Sequence, residues 1–585
     1  MSNDTAQRNS KPLIGLSASA GIGFGTAVVL ERPDLTISAR ETVDPSSEQG
    51  RLHHAFQTAA AELARLTDQA KSELGQELAH ILRSQQTLAE DESMLEEVAA
   101  EIIEHLVSAE EATRRVFERY HNLFEELADD AYNKQRVADL DDVGDRILRT
   151  LLGVETVDLT AVAAGSVIVA SDLSPSETAT MPRDHVSAIV TEHGGITSHV
   201  AILAKGLGIP AAVGVAGATG AVASGQTVAL DASEPETARF YVAPDKRQTE
   251  DLERKRTDLA ERQKEIQKSA GLPSETTDGR LVTLSANIGS RADVEEARKR
   301  GAESVGLYRT EFLFMQGRVL PDEETQYRAY REAAEAFSPG MVIFRTLDVG
   351  GDKDLPALEM PAEENPFLGR RAIRISLARP ELLLAQLRAV LRASAWGTVK
   401  LMFPMVSSLG EIRKLTSYVN EAKESLDRDG FDFDGKMETG IMVEVPSAVL
   451  MAPEFAKEVD FFSIGTNDLT QYLLAADRLN EGVREYYASF HPALFRAIQR
   501  VVEAAHREES WVGVCGELGG NPLALPILLG LGVDELSMAP SHIAQARHLI
   551  RNSSLAEAEQ LSSAVLRCET DQDVLQLARS FANRR

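Results

Sequence analysis

The feature that most constrains this chain is a rhythm in its second half. Short apolar runs of strand length alternate there with amphipathic helical segments. Eight such runs occur: LVTLSANI, SVGLYRTEF, VIFRTLDVG, VKLMFPMV, GIMVEVP, FFSIGTND, WVGVCGE and DELSMAP. Eight βα units predict a parallel (β/α)8 barrel of the TIM type. Nearly every run ends in a polar or charged residue, and the C-terminal strand ends are where such barrels carry their active sites. Arg309, Arg345, Glu444, Asp468 and Cys515 fall there in turn. Singly, a strand-end carboxylate reads equally well as a helix cap, and a lone cysteine as a small buried hydrophobe. Their joint occurrence at successive strand ends is what those readings explain poorly.

The first half is organised differently, as expected of a 585-residue chain too long for one core. KPLIGLSASAGIGFGTAVVL, Lys11 to Leu30, reads as strand, turn and strand. From about Ser46 to Leu152 Gly and Pro nearly vanish and apolar residues recur at helical spacing, as at Leu63, Leu66 and Ala70. Strand-like pieces return at Ser166–Ala170, Val186–Thr191 and Thr227–Leu230. The simplest account is an α/β domain (1–35 and 153–244) interrupted by an all-helical subdomain (36–152). Asp245 to Ser269, dense in charge, reads as one solvent-exposed linking helix within a 245–272 linker, stopped by Leu272-Pro273-Ser274. The barrel then occupies 273–585.

Charge and cysteine content exclude several classes. A net charge of −29 argues against a nucleic-acid partner, which needs basic patches. The same acidity reads either as a high-salt source, where screening relieves repulsion, or as an ordinary acidic protein. Two cysteines form no disulfide framework, and no Cys/His cluster has zinc spacing. No apolar run approaches the ~20 residues that span a bilayer. Met1 to Lys11 is polar and unlike a secretory signal, so the expectation is a cytoplasmic protein.

The first chemical constellation is Thr191-Glu-His-Gly-Gly-Ile-Thr-Ser-His-Val-Ala-Ile-Leu-Ala-Lys205. Gly194 and Gly195 let a bulky partner approach the backbone. Thr197 or Ser198 is positioned to cap the helix that follows, and Gly206 to end it. His199 then sits in the first turn, where the helix N-terminus favours a phosphorylated imidazole. His193 is a neighbouring rival. GGITSHVAILAKGLGIPAAVG resembles the phosphohistidine signature shared by Enzyme I, phosphoenolpyruvate synthase and pyruvate phosphate dikinase. That resemblance points to His199, the His after Thr-Ser. Upstream, Asp172-Leu-Ser-Pro-Ser-Glu177 resembles the loop supporting that histidine, with Ser174 where many members have Thr.

The second constellation is in the barrel. Phosphoenolpyruvate carries a phosphate and a carboxylate, and Arg forks onto both. Arg309, Arg345, Arg371 in EENPFLGRRAIR and Arg478 in AADR supply guanidinium groups. Magnesium prefers one or two carboxylates plus substrate oxygens, and Glu444 with Asp468 fits that count. Asn467 is placed to hydrogen-bond substrate, and Cys515 to protonate the enolate left by phosphoryl departure.

GLYRTEFLF, RTLDVGGDK, EENPFLGRRAIRI and FFSIGTNDLTQY resemble the phosphoenolpyruvate-binding barrel of the Enzyme I family, and the resemblance runs from about Pro12 to about Asn552. It implies phosphoryl transfer from phosphoenolpyruvate to His199 and on to the carrier HPr. Arg309 and Arg345 would hold the phosphoryl group, Glu444 and Asp468 Mg2+, and Cys515 would protonate the enolate. Arg371, Asn467 and Arg478 would complete substrate binding. It also implies a homodimer through the barrel, and HPr docking on the helical subdomain. HILRSQQTLAEDESML matches that subdomain only in part, since members often carry a His near Gln85. The linking helix would let the histidine domain move between barrel and acceptor. Phosphoenolpyruvate synthase and the dikinase, the nearest alternatives, need an ATP-binding domain before the histidine, and no P-loop string occurs. A non-catalytic scaffold would have lost some of these residues.

Overall fold

The computed structural model describes residues 11–584 except 31–34, 36, 38–43, 74–75, 127–130, 155–158, 160–161, 175–176, 178–180, 183, 196–197, 235, 316–318, 352–354 and 359–362. The chain divides into two compact units, 1–262 and 263–585.

In the first unit seven strands close a small barrel: β1 (Leu13–Ser19), β2 (Ile22–Leu30), β3 (Ser166–Ala170), β4 (Val186–Thr191), β5 (Ala211–Val213), β6 (Thr227–Asp231) and β7 (Ala238–Val242). Their order is β1-β5-β4-β3-β2-β6-β7. The three-residue β5 and the strand β7 were not among the strands read from sequence, because neither shows enough period-two alternation. β2 pairs in parallel with β3, aligning Thr26 with Ser166 and Leu30 with Ala170. The close approach rests on Gly25, where a Cβ would collide with the Gly165 carbonyl.

Between β2 and β3 the chain makes five helices, α1 (Pro45–Glu73), α2 (Gln76–Ala89), α3 (Glu92–His105), α4 (Ala109–Glu126) and α5 (Ala131–Leu152). Their apolar stripes meet in one core that includes Leu52, Phe56, Leu63, Val98, Val116 and Ile147. Asp91 caps α3 by accepting the Ser93 and Met94 N–H groups. Arg51 ties the bundle's ends together, donating to Glu48, Glu110 and the Leu151 carbonyl.

The linking helix is Lys246–Lys268. Most of its residues are exposed, and two points anchor it. Leu252 is buried with Ile22 and Ala229, and Lys255 Nζ lies 2.9 Å from the buried Asp231 carboxylate.

The second unit closes eight parallel strands into a barrel: β8 (Thr283–Ile288), β9 (Ser304–Arg309), β10 (Met341–Arg345), β11 (Thr398–Phe403), β12 (Thr439–Val443), β13 (Phe461–Ile464), β14 (Trp511–Val514) and β15 (Glu535–Met538). Each corresponds to one of the eight sequence runs. Helices cover the outside and share one core with the outward residues of the strands, among them Leu284, Phe344, Leu401, Ile441 and Leu536. At the base, the fully buried Arg547 donates to the carbonyls of Ala270 and Gly301, to Ser274 Oγ and to Glu303. Among the described residues no helix is long and apolar enough to cross a membrane.

Candidate active site

The histidine segment follows β4. The Thr191 hydroxyl donates to the His193 carbonyl (2.8 Å), and Gly194 takes φ 101°, a conformation that glycine adopts without strain. Ser198 then caps the helix His199–Leu207, its Oγ accepting the Ala201 N–H at 3.4 Å. His199 is therefore the first helical residue; its side chain, with Ile196 and Thr197, lies outside the described residues. The helix ends at Gly208 (φ 68°), not at Gly206, which lies inside the last turn. Gly208 is the residue that takes up the left-handed conformation closing the helix. His193 has a structural role: its Nδ1 and its backbone N–H both contact the Ser171 carbonyl at 3.0 Å.

The Asp172–Glu177 loop is held from two sides. Glu177 accepts the Ser174 N–H (2.9 Å), and Ser174 Oγ accepts the Glu177 N–H (3.2 Å). Ser174 also faces Asp142 of α5 and weakly favours its charged form. Burial pushes Asp142 up to about 6, against the pull of Arg146 and Arg149. Gln85 is fully buried and donates to Asp139 Oδ1 at 2.9 Å, so it packs inside the bundle.

At the C-terminal ends of the barrel strands the predicted residues converge. Arg345 ends β10 in register with Arg309 at the end of β9. Arg345 is buried, with Nη1 2.8 Å from Asp348 Oδ2 and Nη2 on Glu311. Arg371 is equally buried. It reaches Asp348 Oδ1 (3.3 Å), Asp468 Oδ1 (3.4 Å) and Tyr472 Oη (3.1 Å). Burial opposes both positive charges, but Asp348 above all, with Glu311 and Asp468, holds both guanidinium groups charged. The Nε of each is buried without a partner. Asp348 and Glu311 thus build the site beside the predicted residues. Both stand in the motifs RTLDVGGDK and GLYRTEFLF, where their spacing from Arg345 and Arg309 was the available signal.

Glu444, just past β12, is fully buried. Its Oε1 accepts the Met405 N–H (2.6 Å), whereas Oε2 has no hydrogen-bond partner. Burial, reinforced by Asp468 and Asp348, pushes its pKa up to about 8. An unpartnered carboxylate oxygen facing two further carboxylates has the donor chemistry that suits a divalent cation, and Glu444 and Asp468 could hold one. Gly465 leaves the space: a Cβ there would lie 3.1 Å from Glu444 Oε2. Among the described residues no group of three His, Cys, Asp or Glu could hold a metal. Met405 (φ 55°) and Ala372 (φ 50°), flanking the cluster, hold backbone conformations that side chains disfavour.

Asp468 and Asn467 lie in the first turn of the helix Thr466–Leu474. Asn467 Oδ1 accepts the Glu517 N–H at 3.3 Å. Arg478 is anchored by its N–H on Gln471 Oε1 (3.1 Å), and its Nε is buried without a partner. Cys515, just past β14, is 3% exposed, with Sγ 3.7 Å from the Ile464 carbonyl. Burial pushes the thiol up to about 12, so it is held protonated. The arrangement offers buried cations for an anionic substrate, a carboxylate pair for a metal and a protonated acid beside them.

Three family models cover the chain. Residues 14–136 match the N-terminal domain of PEP-utilising enzymes, 162–234 their mobile domain and 263–555 their PEP-binding domain. Among curated proteins, the phosphoenolpyruvate-protein phosphotransferase of Staphylococcus carnosus is 40% identical over 572 residues, 98% of this chain and 99% of that protein. That of Bacillus subtilis is 42% identical over 563 residues (96% and 98%), and that of Haemophilus influenzae 41% over 569 (97% and 98%). The chain belongs to the phosphoenolpyruvate-protein phosphotransferases, the Enzyme I family.

Proposed function

We propose that this chain transfers the phosphoryl group of phosphoenolpyruvate to His199 and then to a histidine of the carrier HPr, releasing pyruvate, as the general first step of sugar uptake and phosphorylation. The observation that carries the reading is the cluster at the barrel strand ends, where Arg345 and Arg371 share Asp348 beside the Glu444–Asp468 pair. In a chain of this family that cluster supports binding of a small substrate with both a phosphate and a carboxylate.

The roles follow from chemistry. Arg309 and Arg345 bind the phosphoryl group; Arg371, Asn467 and Arg478 orient the rest of the substrate. Glu444 and Asp468 would hold Mg2+, which would supply charge neutralisation for the anionic substrate. His199 accepts the phosphoryl group at the first turn of a capped helix, whose free N–H groups favour the added charge. Phosphoryl transfer needs mainly in-line positioning and charge neutralisation. Cys515 then gives its proton to the enolate carbon, and pyruvate leaves.

The domain division we assign is a phosphohistidine domain (1–35 and 153–244), an HPr-docking helical subdomain (36–152), a linker (245–272) and a substrate-binding barrel that pairs two copies of the chain (273–585). The setting is the cytoplasm, where phosphoenolpyruvate is available.

The test is incubation with phosphorus-labelled phosphoenolpyruvate and magnesium, without ATP, beside a His199→Ala variant. Acid-labile, base-stable label on the unaltered protein alone, with pyruvate released, is the expected result. No label on either protein would sink the reading, and label on both would move the nucleophile to another histidine.

A further inference from the structure

The interior of the second barrel is only half apolar. Such cores are ordinarily filled by branched apolar side chains. On one side that holds, with Leu307, Ile343, Met402, Met442 and Phe461 packed against Cys515. On the side built from β13, β14, β15 and β8, Ser463, Gly513, Glu535 and Ser285 take the corresponding places, all of them buried.

Glu535 is the outlier. It opens β15, is 1% exposed, and neither carboxyl oxygen has a hydrogen-bond partner. Glycine makes room for it: a Cβ on Gly306 would collide with Oε1, and one on Gly513 with Oε2. The charged and titratable groups acting on this carboxyl are Lys400 on β11 and Cys515 beyond β14. Burial pushes Glu535 up to about 7, against weaker opposing pulls from Ser285 and Lys400. A buried carboxyl without partners is costly and calls for a reason beyond packing.

Ser463 lies between Glu535 and the thiol. Ser463 stands opposite Gly513 in register, one strand spacing (~4.8 Å) from the position Glu535 Oε2 overhangs. Its hydroxyl is fully buried and faces Cys515 closely enough to favour the thiolate. Cys515 lies two residues beyond Gly513, on the same face of the strand. Ser537 Oγ donates to Asn287 Oδ1 (2.7 Å), and Asn287 Nδ2 donates to the Cys515 carbonyl (2.9 Å), fixing the backbone that carries the thiol.

We propose that Glu535 is a proton reservoir for Cys515, supplying it through the Ser463 hydroxyl. The inference rests on Cys515 being the acid of the proposed reaction. As the S–H bond breaks and a C–H bond forms at the enolate carbon, the electron pair stays on sulfur. Ser463 passes its hydroxyl proton to sulfur and takes the carboxyl proton of Glu535. Glu535 is left ionised and recovers a proton from solvent. The order of acidity, carboxyl below thiol, makes this transfer downhill.

The step also runs backwards, so it is read as exchange of the methyl hydrogens of pyruvate in D2O, followed by proton NMR. The full-length protein is used with magnesium and inorganic phosphate. Glu535→Gln is expected to lower the exchange rate at saturating pyruvate at least tenfold, with half-saturation unchanged within twofold. Cys515→Ala is expected to abolish exchange. If Cys515→Ala is inactive and Glu535→Gln exchanges at the unaltered rate, the reservoir is overturned and Cys515 stands. If Cys515→Ala exchanges normally, the assignment of Cys515 fails first. Should Glu535→Gln not fold, Ser463→Ala interrupts the same path, and an unaltered rate in that variant overturns the proposal equally.

Discussion

Asp348 holds two buried guanidinium groups at once, and its charge is the natural place to test the site. Asp348→Asn removes that charge with almost no change of volume. Oδ2 faces Arg345 at 2.8 Å and Oδ1 faces Arg371 at 3.3 Å. An amide retains one acceptor, so one contact survives in neutral form and the other becomes donor against donor. Breaking a buried ion pair costs about 3–5 kcal/mol. Arg345 keeps Glu311, and Arg371 keeps Asp468 and Tyr472, which puts the loss at the lower end, about 3 kcal/mol. At about 2 °C per kcal/mol for a large domain, the barrel should melt roughly 6 °C lower. Trp396 and Trp511, the only tryptophans, both lie in the 263–585 unit, so their fluorescence reports that unit selectively. An anion should replace the missing charge, so added phosphate or phosphoenolpyruvate should raise the variant's midpoint more than that of the unaltered protein. A midpoint within 1 °C of the original (roughly 0.5 kcal/mol), or equal anion shifts in both proteins, would refute the account of how the arginines are held.

Three further outcomes are expected. Asp142 has its folded pKa raised to about 6 from the ordinary 3.8, so its contribution is intact below pH 3.8 and is lost as pH rises through 6. That loss is about 3 kcal/mol at most, and Asp142→Asn should flatten the helical unit's stability between pH 4 and 7, read by amide exchange in α1–α5. An unchanged pH slope in the variant would contradict this. Cys515, with its thiol pushed up to about 12, should be alkylated by iodoacetamide about tenfold faster per pH unit up to pH 10, by mass spectrometry of its peptide; a plateau near pH 8 would show an ordinary thiol. In Gly516→Ala the new Cβ would collide with Thr466 Oγ1 and stand 2.7 Å from the Thr466 backbone nitrogen. Displacing the turn that carries Asn467 and Asp468 should lower pyruvate release about a hundredfold, and full activity would show that this turn tolerates movement.

The barrel was legible because its strands are short apolar runs bounded by polar ends, a pattern local enough to survive without tertiary context. The histidine helix was legible for the same reason, although its end was misplaced. Gly206 and Gly208 are equally good stops on paper, and only packing of Leu203, Ala204 and Leu207 carries the helix past the first. β5, three residues long, carries no readable period, and β7 (ARFYV) mixes charged and aromatic residues without a clean alternation. Glu311 and Asp348 stand inside GLYRTEFLF and RTLDVGGDK, but their partners are not legible there. A carboxylate near an arginine in sequence says nothing of which guanidinium it will face.

Residue chemistry and its spacing along the chain settled by themselves the eight-strand rhythm, the capped helix start and the supply of arginines, carboxylates and one thiol at strand ends. Those are properties of single segments, governed by backbone sterics and side-chain period. Tertiary structure alone decided that Arg345 and Arg371 meet on one carboxylate, that Glu444 keeps an oxygen unpartnered, and that Glu535 is sealed beneath Cys515. Each depends on residues from different strands sharing a water-poor interior. There the cost of an unpaired charge depends on every neighbour at once.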